Sequence, residues 1–183
     1  SDNALKWGNV MGSLRWKHHG HGFNVNQTIY STYYHNKFML TMQDNNYALK
    51  SSNMDLGYKG NITAGRWDIG LDAVWHNIQP QYLDNNNTYN VTRGNPERQY
   101  SSEASAFVRY SLHLRKHSTM IFGARATLYS ASGNHFGSAD PSLAFMYDNS
   151  TVALSASCYL RHQYLFQTGF SSSGLPTEFW MST

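Results

Sequence analysis

The sequence predicts an all-β chain: one domain segment of about eight strands from an antiparallel transmembrane β-barrel, spanning residues 1–183. Three observations predict it. Apolar and polar residues alternate with period two from end to end, the composition is aromatic and poor in charge, and the connections between strands fall into a short class and a long class.

The alternation is clearest in EASAFVRYSLHLR, residues 103–115. Ala104, Ala106, Val108, Tyr110, Leu112 and Leu114 interleave with Glu103, Ser105, Phe107, Arg109, Ser111 and His113. Side chains of a strand point alternately to opposite faces, so one face is apolar and the other mostly polar. Before it come four more such segments: 8–17, 23–35 (weaker, with Tyr on both faces), 54–63 and 67–76. The fourth sets Trp67, Ile69, Leu71, Ala73 and Trp75 against Asp68, Asp72 and His76. After it come 120–129, 142–147 and 152–163, the last with Val152, Leu154, Ala156, Cys158 and Leu160 on its apolar face.

Composition narrows the class. The chain is 15% aromatic and 14% charged, against about 25% charge in soluble globular domains. The polarity comes instead from Asn, Ser, Thr and Tyr. No window of about 18 apolar residues occurs, so an ordinary membrane helix is excluded. The mean hydropathy of -0.55 does not exclude a barrel, because half of each strand faces a polar lumen. The net charge of +3 comes without a basic run longer than Arg115–Lys116, which gives no case for nucleic acid as a partner. The single cysteine, Cys158, excludes an internal disulfide and a Cys-rich metal site. Ser1 opens no secretory signal, so the expectation is a removed leader or a start within a longer protein.

The joints 18–22, 63–66, 115–119 and 148–151 are turn-like. Stretches 36–53, 84–100 and 130–140 are long and polar. Short and long alternate, as in a barrel with short periplasmic turns and long outer loops. Trp67 and Trp75 share a face eight residues apart, roughly 26 Å along a strand. At a tilt of about 35–45° this spans about 19–22 Å, close to the roughly 25 Å between aromatic girdles. A sandwich core also favours Trp, Leu and Ile, but gives no reason for sorted connections.

The polar faces then line a lumen, with Lys59, Asp68, Asp72, Glu103, Arg109 and Arg125 as its charges. A tight turn at Ala64–Gly65 sets Lys59 diagonally between Asp68 and Asp72. The same kind of register sets Arg109 opposite Arg125, an unfavourable pair calling for Asp72, Glu103 or an acidic group filling the lumen.

The segments WGNVMGSLRWKH (7–18), DPSLAFMYDNSTVALSASCYLRHQYL (140–165) and SGLPTEFWMST (173–183) resemble parts of TonB-dependent outer-membrane receptors. The nearest are those with a carboxypeptidase-regulatory-like N-terminal domain, related to the starch-utilisation importers. In this resemblance Asp140-Pro141-Ser142-Leu143 forms the corner, with Ser142 where the family has Arg. Gln163-Tyr164 closes the strand, and Leu175-Pro176-Thr177 with Trp180 is the loop signature. The resemblance implies a 22-stranded barrel with a plugged lumen, of which this chain is a wall segment without the plug domain. It implies integral residence in a Gram-negative outer membrane and import of a scarce nutrient. The implied partners are outer-membrane lipid, the remainder of the barrel and its plug, TonB through the N-terminal part, and a surface lipoprotein. On this resemblance the chain is expected to be a fragment that stops inside the loop after its eighth strand. The alternative is a complete small eight-stranded barrel acting as an anchor or adhesin, since eight strands close around an interior filled by side chains. Small lumen-face residues, Gly57, Gly70, Ser111 and Gly123, suit the wide barrel packed on a plug.

Candidate ligand contacts are Tyr89, Arg93, Arg98 and Tyr100 in the loop 84–100, and Phe179 and Trp180 in the loop signature. Arg with Tyr suits sugars, carboxylates or ferric chelates. A solvated loop explains the first four equally well, and packing against neighbouring loops is the stronger reading of the last two. His18, His19 and His21 suggest a metal site, but no Cys or carboxylate adjoins them, so a solvated turn is favoured and no metal is assigned. The five Asn-X-Ser/Thr patterns, at Asn26, Asn61, Asn86, Asn90 and Asn149, read as ordinary turn and strand polars. Asp68 with Asp72, or His113 with Glu103, could be drawn as acid and base. Without a nucleophile elbow, phosphate loop or metal signature they give no catalytic residue and no enzyme. No cofactor is implied.

Overall fold

The structure is a computed structural model describing residues 4–42, 45–85, 97–170 and 177–182. Among these every regular element is a strand: β1 (Ala4–Gly20), β2 (Phe23–Met42), β3 (Asn45–Ala64), β4 (Trp67–Asn85), β5 (Gln99–Arg115), β6 (Ser118–Ala131), β7 (Asn134–Asp148), β8 (Ala153–Tyr159), β9 (Leu165–Phe170) and β10 (Thr177–Ser182). β1 to β8 form one antiparallel sheet in sequence order, so the eight alternating segments are its eight strands. The sheet is not closed: β1 and β8 are its two edges. β9 and β10 pair with each other as a separate hairpin, and β10 comes against β4.

The strands outrun the alternation that reveals them. β1 to β7 are 14 to 20 residues long. Two of the long polar connections are therefore corrected. Most of 36–53 belongs to β2 and β3, and 130–140 is the end of β6, a two-residue turn and the start of β7. Toward the strand ends polar residues occupy both faces, so the alternation fades while the backbone ladder continues. At Ser132–Gly133 both residues have positive φ, 49° and 83°, as a primed two-residue hairpin turn requires. At the opposite end the joints are tight. Asn149 accepts from the backbone N–H groups of Thr151 (2.9 Å) and Val152 (2.6 Å), closing the β7–β8 reversal.

Two prolines mark interruptions. Pro80 lies where Ser52 pairs with Gln79 and Lys50 with Tyr82, a bulge that leaves Pro80 and Gln81 facing Ser51; a residue without an N–H fits there. Pro141 accepts from Leu160 N–H at 3.1 Å but has no N–H to return, and the β7–β8 ladder stops beside it, at Ser142–Tyr159. β8 thus ends at Tyr159 rather than Gln163. Residues 160–164 leave the sheet and cross over one of its faces, and the expected final loop contains the β9–β10 hairpin.

Candidate functional site on the polar face

Register assigns every strand residue to one of two faces. The apolar face is open: Leu14, Leu71 and Leu128 are 75%, 58% and 70% exposed, and Val10, Ile29, Leu56, Ile69 and Leu154 stand out beside them. Burial lies on the other face. Asn53, His76, Ser101, Ser105, Thr127 and Asp140 are buried there with Ile78, Tyr129 and Ala131. This inverts the order of a soluble sheet, where the apolar face is the covered one.

Aromatic rings edge the apolar face at two levels. Near the tight turns, Trp16 stacks on His18 at 5.8 Å, His18 meets Phe23 at 5.8 Å, and Trp67 meets Tyr110 at 4.7 Å. Toward the other end, Tyr33 stacks on His35 and Trp75 on Tyr100, each pair at 5.8 Å. Tyr100 therefore begins a strand and belongs to this ring row, not to a loop.

The six predicted charges, Lys59, Asp68, Asp72, Glu103, Arg109 and Arg125, share the polar face. Their pairing differs from the expected one. The turn is Gly65–Arg66, with Gly65 at φ 57°, one residue later than Ala64–Gly65. That moves each partner by two, setting Lys59 opposite Asp72 and Thr63 opposite Asp68. A bulge between His113 and Arg115 shifts the next pair, so Arg109 faces Gly123 and Arg125 faces Phe107. The arginines are thus diagonal rather than opposed. Arg125 donates to Asp72 at 2.9 Å and to Ser105 at 2.5 Å. Arg109 donates to Asp68, which also accepts from Asn61 at 3.0 Å and Thr63 at 3.2 Å. Lys59 holds its ammonium 5.6 Å from the Tyr30 ring centre.

Two of the small residues on this face seat the sheet's own rings. A Cβ at Gly57 would come within 2.1 Å of the Tyr30 ring, and one at Gly70 within 2.4 Å of Phe107. These two glycines are seats for aromatic side chains of the neighbouring strands.

Two His–Asp pairs emerge that the sequence reading did not single out. His76 Nδ1 lies 2.7 Å from Asp55 Oδ1, and Thr32 donates to the same carboxylate at 3.3 Å. Their direct opposition on β3 and β4 follows from the turn position, so a correct turn would have exposed it. His162 Nδ1 lies 2.6 Å from Asp140 Oδ1, a contact made because 160–164 folds back over the polar face. Tyr164 stacks on Tyr129 at 5.3 Å in the same crossing. Together they enclose a cavity of about 710 Å³, floored by His76, Glu103, Arg125, Thr127 and Asp140 and roofed by Tyr159 to Tyr164.

The candidate ligand contacts separate. Arg98 donates to Gln79 Oε1 at 3.2 Å, and with Tyr100 it lines a second cavity of about 670 Å³. Tyr89 and Arg93 lie outside the described residues. Phe179 and Trp180 lie in β10, at register with Thr168 and Gln167. Nor do the acid–base pairs meet. His113 and Glu103 are ten residues apart on β5, roughly 33 Å, while Asp68 and Asp72 each engage an arginine. His18 and His19 point to opposite faces, His18 against Trp16 and His19 to Asn24 at 2.8 Å.

No protein-family model, curated protein or solved structure matches this chain.

Proposed function

We propose that this chain is a wall segment of the β-barrel of an outer-membrane receptor of the TonB-dependent type, part of an importer for a scarce nutrient such as a glycan, peptide or siderophore. The observation that carries the reading is the inverted sheet. An exposed apolar face bounded by two aromatic rows suits lipid, and a face with buried polar groups and paired charges suits a wet interior. Open edges are not stable against hydrocarbon, so β1 and β8 require neighbouring strands, which a larger barrel supplies. A complete eight-stranded barrel, the second reading, has the right strand count but requires β1 paired with β8; here they are the edges.

In this reading the segment performs no chemistry. The polar face and its cavity meet the plug or the passing ligand. TonB, the rest of the barrel and a surface lipoprotein are the protein partners, and lipid covers the other face.

The test is the natural polypeptide recovered from outer membranes in detergent. The expected product has an intact mass several times 20.8 kDa, includes a plug sequence, and supports an uptake that fails when TonB is depleted. A natural product near 21 kDa that is heat-modifiable alone would overturn the transporter and leave the small barrel. Recovery from the soluble fraction would overturn both.

A further inference from the structure

The cavity beneath residues 160–164 sorts its charged side chains into two kinds. Most are engaged within the protein. His76 meets Asp55, Arg125 donates to Asp72, and His162 meets Asp140. The others are Glu103 on the floor and Arg161 on the roof. Among the described residues neither has an ion-pair or hydrogen-bond partner, and they do not pair with each other.

Register explains why Glu103 is left over. It lies opposite Val74 on β4 and Tyr129 on β6, neither of them charged. Its diagonal neighbours on β4 are Asp72 and His76. His76 is committed to Asp55, and Asp72 takes Arg125. Arg161, in turn, is held in place from both sides. Leu160 donates its N–H to the Pro141 carbonyl at 3.1 Å, and His162 lies 2.6 Å from Asp140. The strap is thereby tied to β7 before and after the residue whose guanidinium lines the cavity.

A half-buried carboxylate without a partner carries a desolvation cost that a cationic occupant offsets. A guanidinium facing the same space offers a fork for a carboxylate. The cavity, about 710 Å³, lies within the roughly 300–1,000 Å³ of small-molecule sites. We infer that it binds a zwitterion carrying an ammonium and a carboxylate at separate ends, the chemistry of a short peptide. The ammonium sits on Glu103 and the carboxylate on Arg161. Because these residues stand on opposite walls, separated charges suit them better than the two charges of one amino acid. The inference rests on the reading of this face as a wet interior that meets the passing ligand, and it names the class of that ligand.

The test is isothermal titration calorimetry on the natural full-length protein in detergent. The probes are trialanine, N-acetyl-trialanine and trialanine amide. Trialanine is expected to bind at least about tenfold more tightly than either blocked form, the scale of one hydrogen-bonded charge. Glu103→Gln is expected to erase the preference over the acetylated peptide and to keep the preference over the amide. Arg161→Gln is expected to do the reverse. The preference that each variant keeps shows that it is folded. Equal binding of the three peptides, or unchanged preferences in both variants, overturns the site. Absence of trialanine binding, in a protein that supports TonB-dependent uptake of another solute, overturns this inference alone. Trialanine binding with both preferences, in a protein that supports no such uptake, overturns the importer reading and leaves the site.

Discussion

Asp72 illustrates how single residues hold the polar face. Its carboxylate accepts from Arg125 at 2.9 Å, and the guanidinium also reaches Ser105. Asp72→Asn would keep the shape and remove the charge, leaving a half-buried arginine with neutral acceptors only. The expected loss is about 1–3 kcal/mol, measured by denaturant unfolding in detergent, and Asp72→Glu is expected to recover part of it. Gly57 makes a different kind of contact. Gly57→Ala forces the Tyr30 ring from its seat and with it the surface beneath Lys59. Overpacking of this kind costs about 1–3 kcal/mol. Because Tyr30 can respond by rotating, Gly57→Ala in a Tyr30→Ala background is expected to cost much less, and a double-mutant cycle would read the coupling. The charges and the glycines were legible in the sequence as polar-face residues. Their partners were not, because a one-residue error in a turn moves every cross-strand contact by two positions.

Among the elements, the β6–β7 hairpin offers the cleanest local test. Ser132 occupies the left-handed region at φ 49° before Gly133 at 83°, a conformation that Asn adopts more readily than Ser. Ser132→Asn is expected to raise stability by about 0.5–1 kcal/mol, whereas Gly133→Val is expected to lower it by at least about 1 kcal/mol. Thermal unfolding followed by loss of β-sheet circular dichroism checks both. The Ser-Gly dipeptide is itself a turn signal, so this hairpin was available in the sequence. A polar, glycine-containing stretch such as 130–140 has the composition of a longer loop as well. The departure of β8 at Tyr159 was not available in that way. Val152 to Gln163 alternates well enough to be one strand, and it takes Pro141 on the neighbouring strand, together with the contacts of His162 and Tyr164 across the face, to end it.

At the scale of the whole molecule, the two faces make opposite demands on charge. Ala106 lies opposite Leu71 and Ala126, in the middle of the apolar band. Ala106→Arg is expected to cost about 2–4 kcal/mol for folding into a bilayer. Ser111→Arg, on the polar face of the same strand, is expected to cost much less. Refolding of the full-length protein into phosphatidylcholine vesicles across a urea series compares them. Equal costs would contradict the assignment of the faces to lipid and lumen.

Alternation by itself determined that this chain is β-rich, where the eight strands of the main sheet lie, and which residues of each strand share a face, because side-chain direction in a strand has period two and needs no partner to define it. Tertiary structure decided how far those strands run, which charges meet, where the chain leaves the sheet, and that the sheet remains open. Those depend on backbone pairing between distant segments, on the residue at which each turn reverses, and on side chains such as Tyr30, Phe107 and Tyr164 finding a seat across strands. Spacing along one strand carries none of that information.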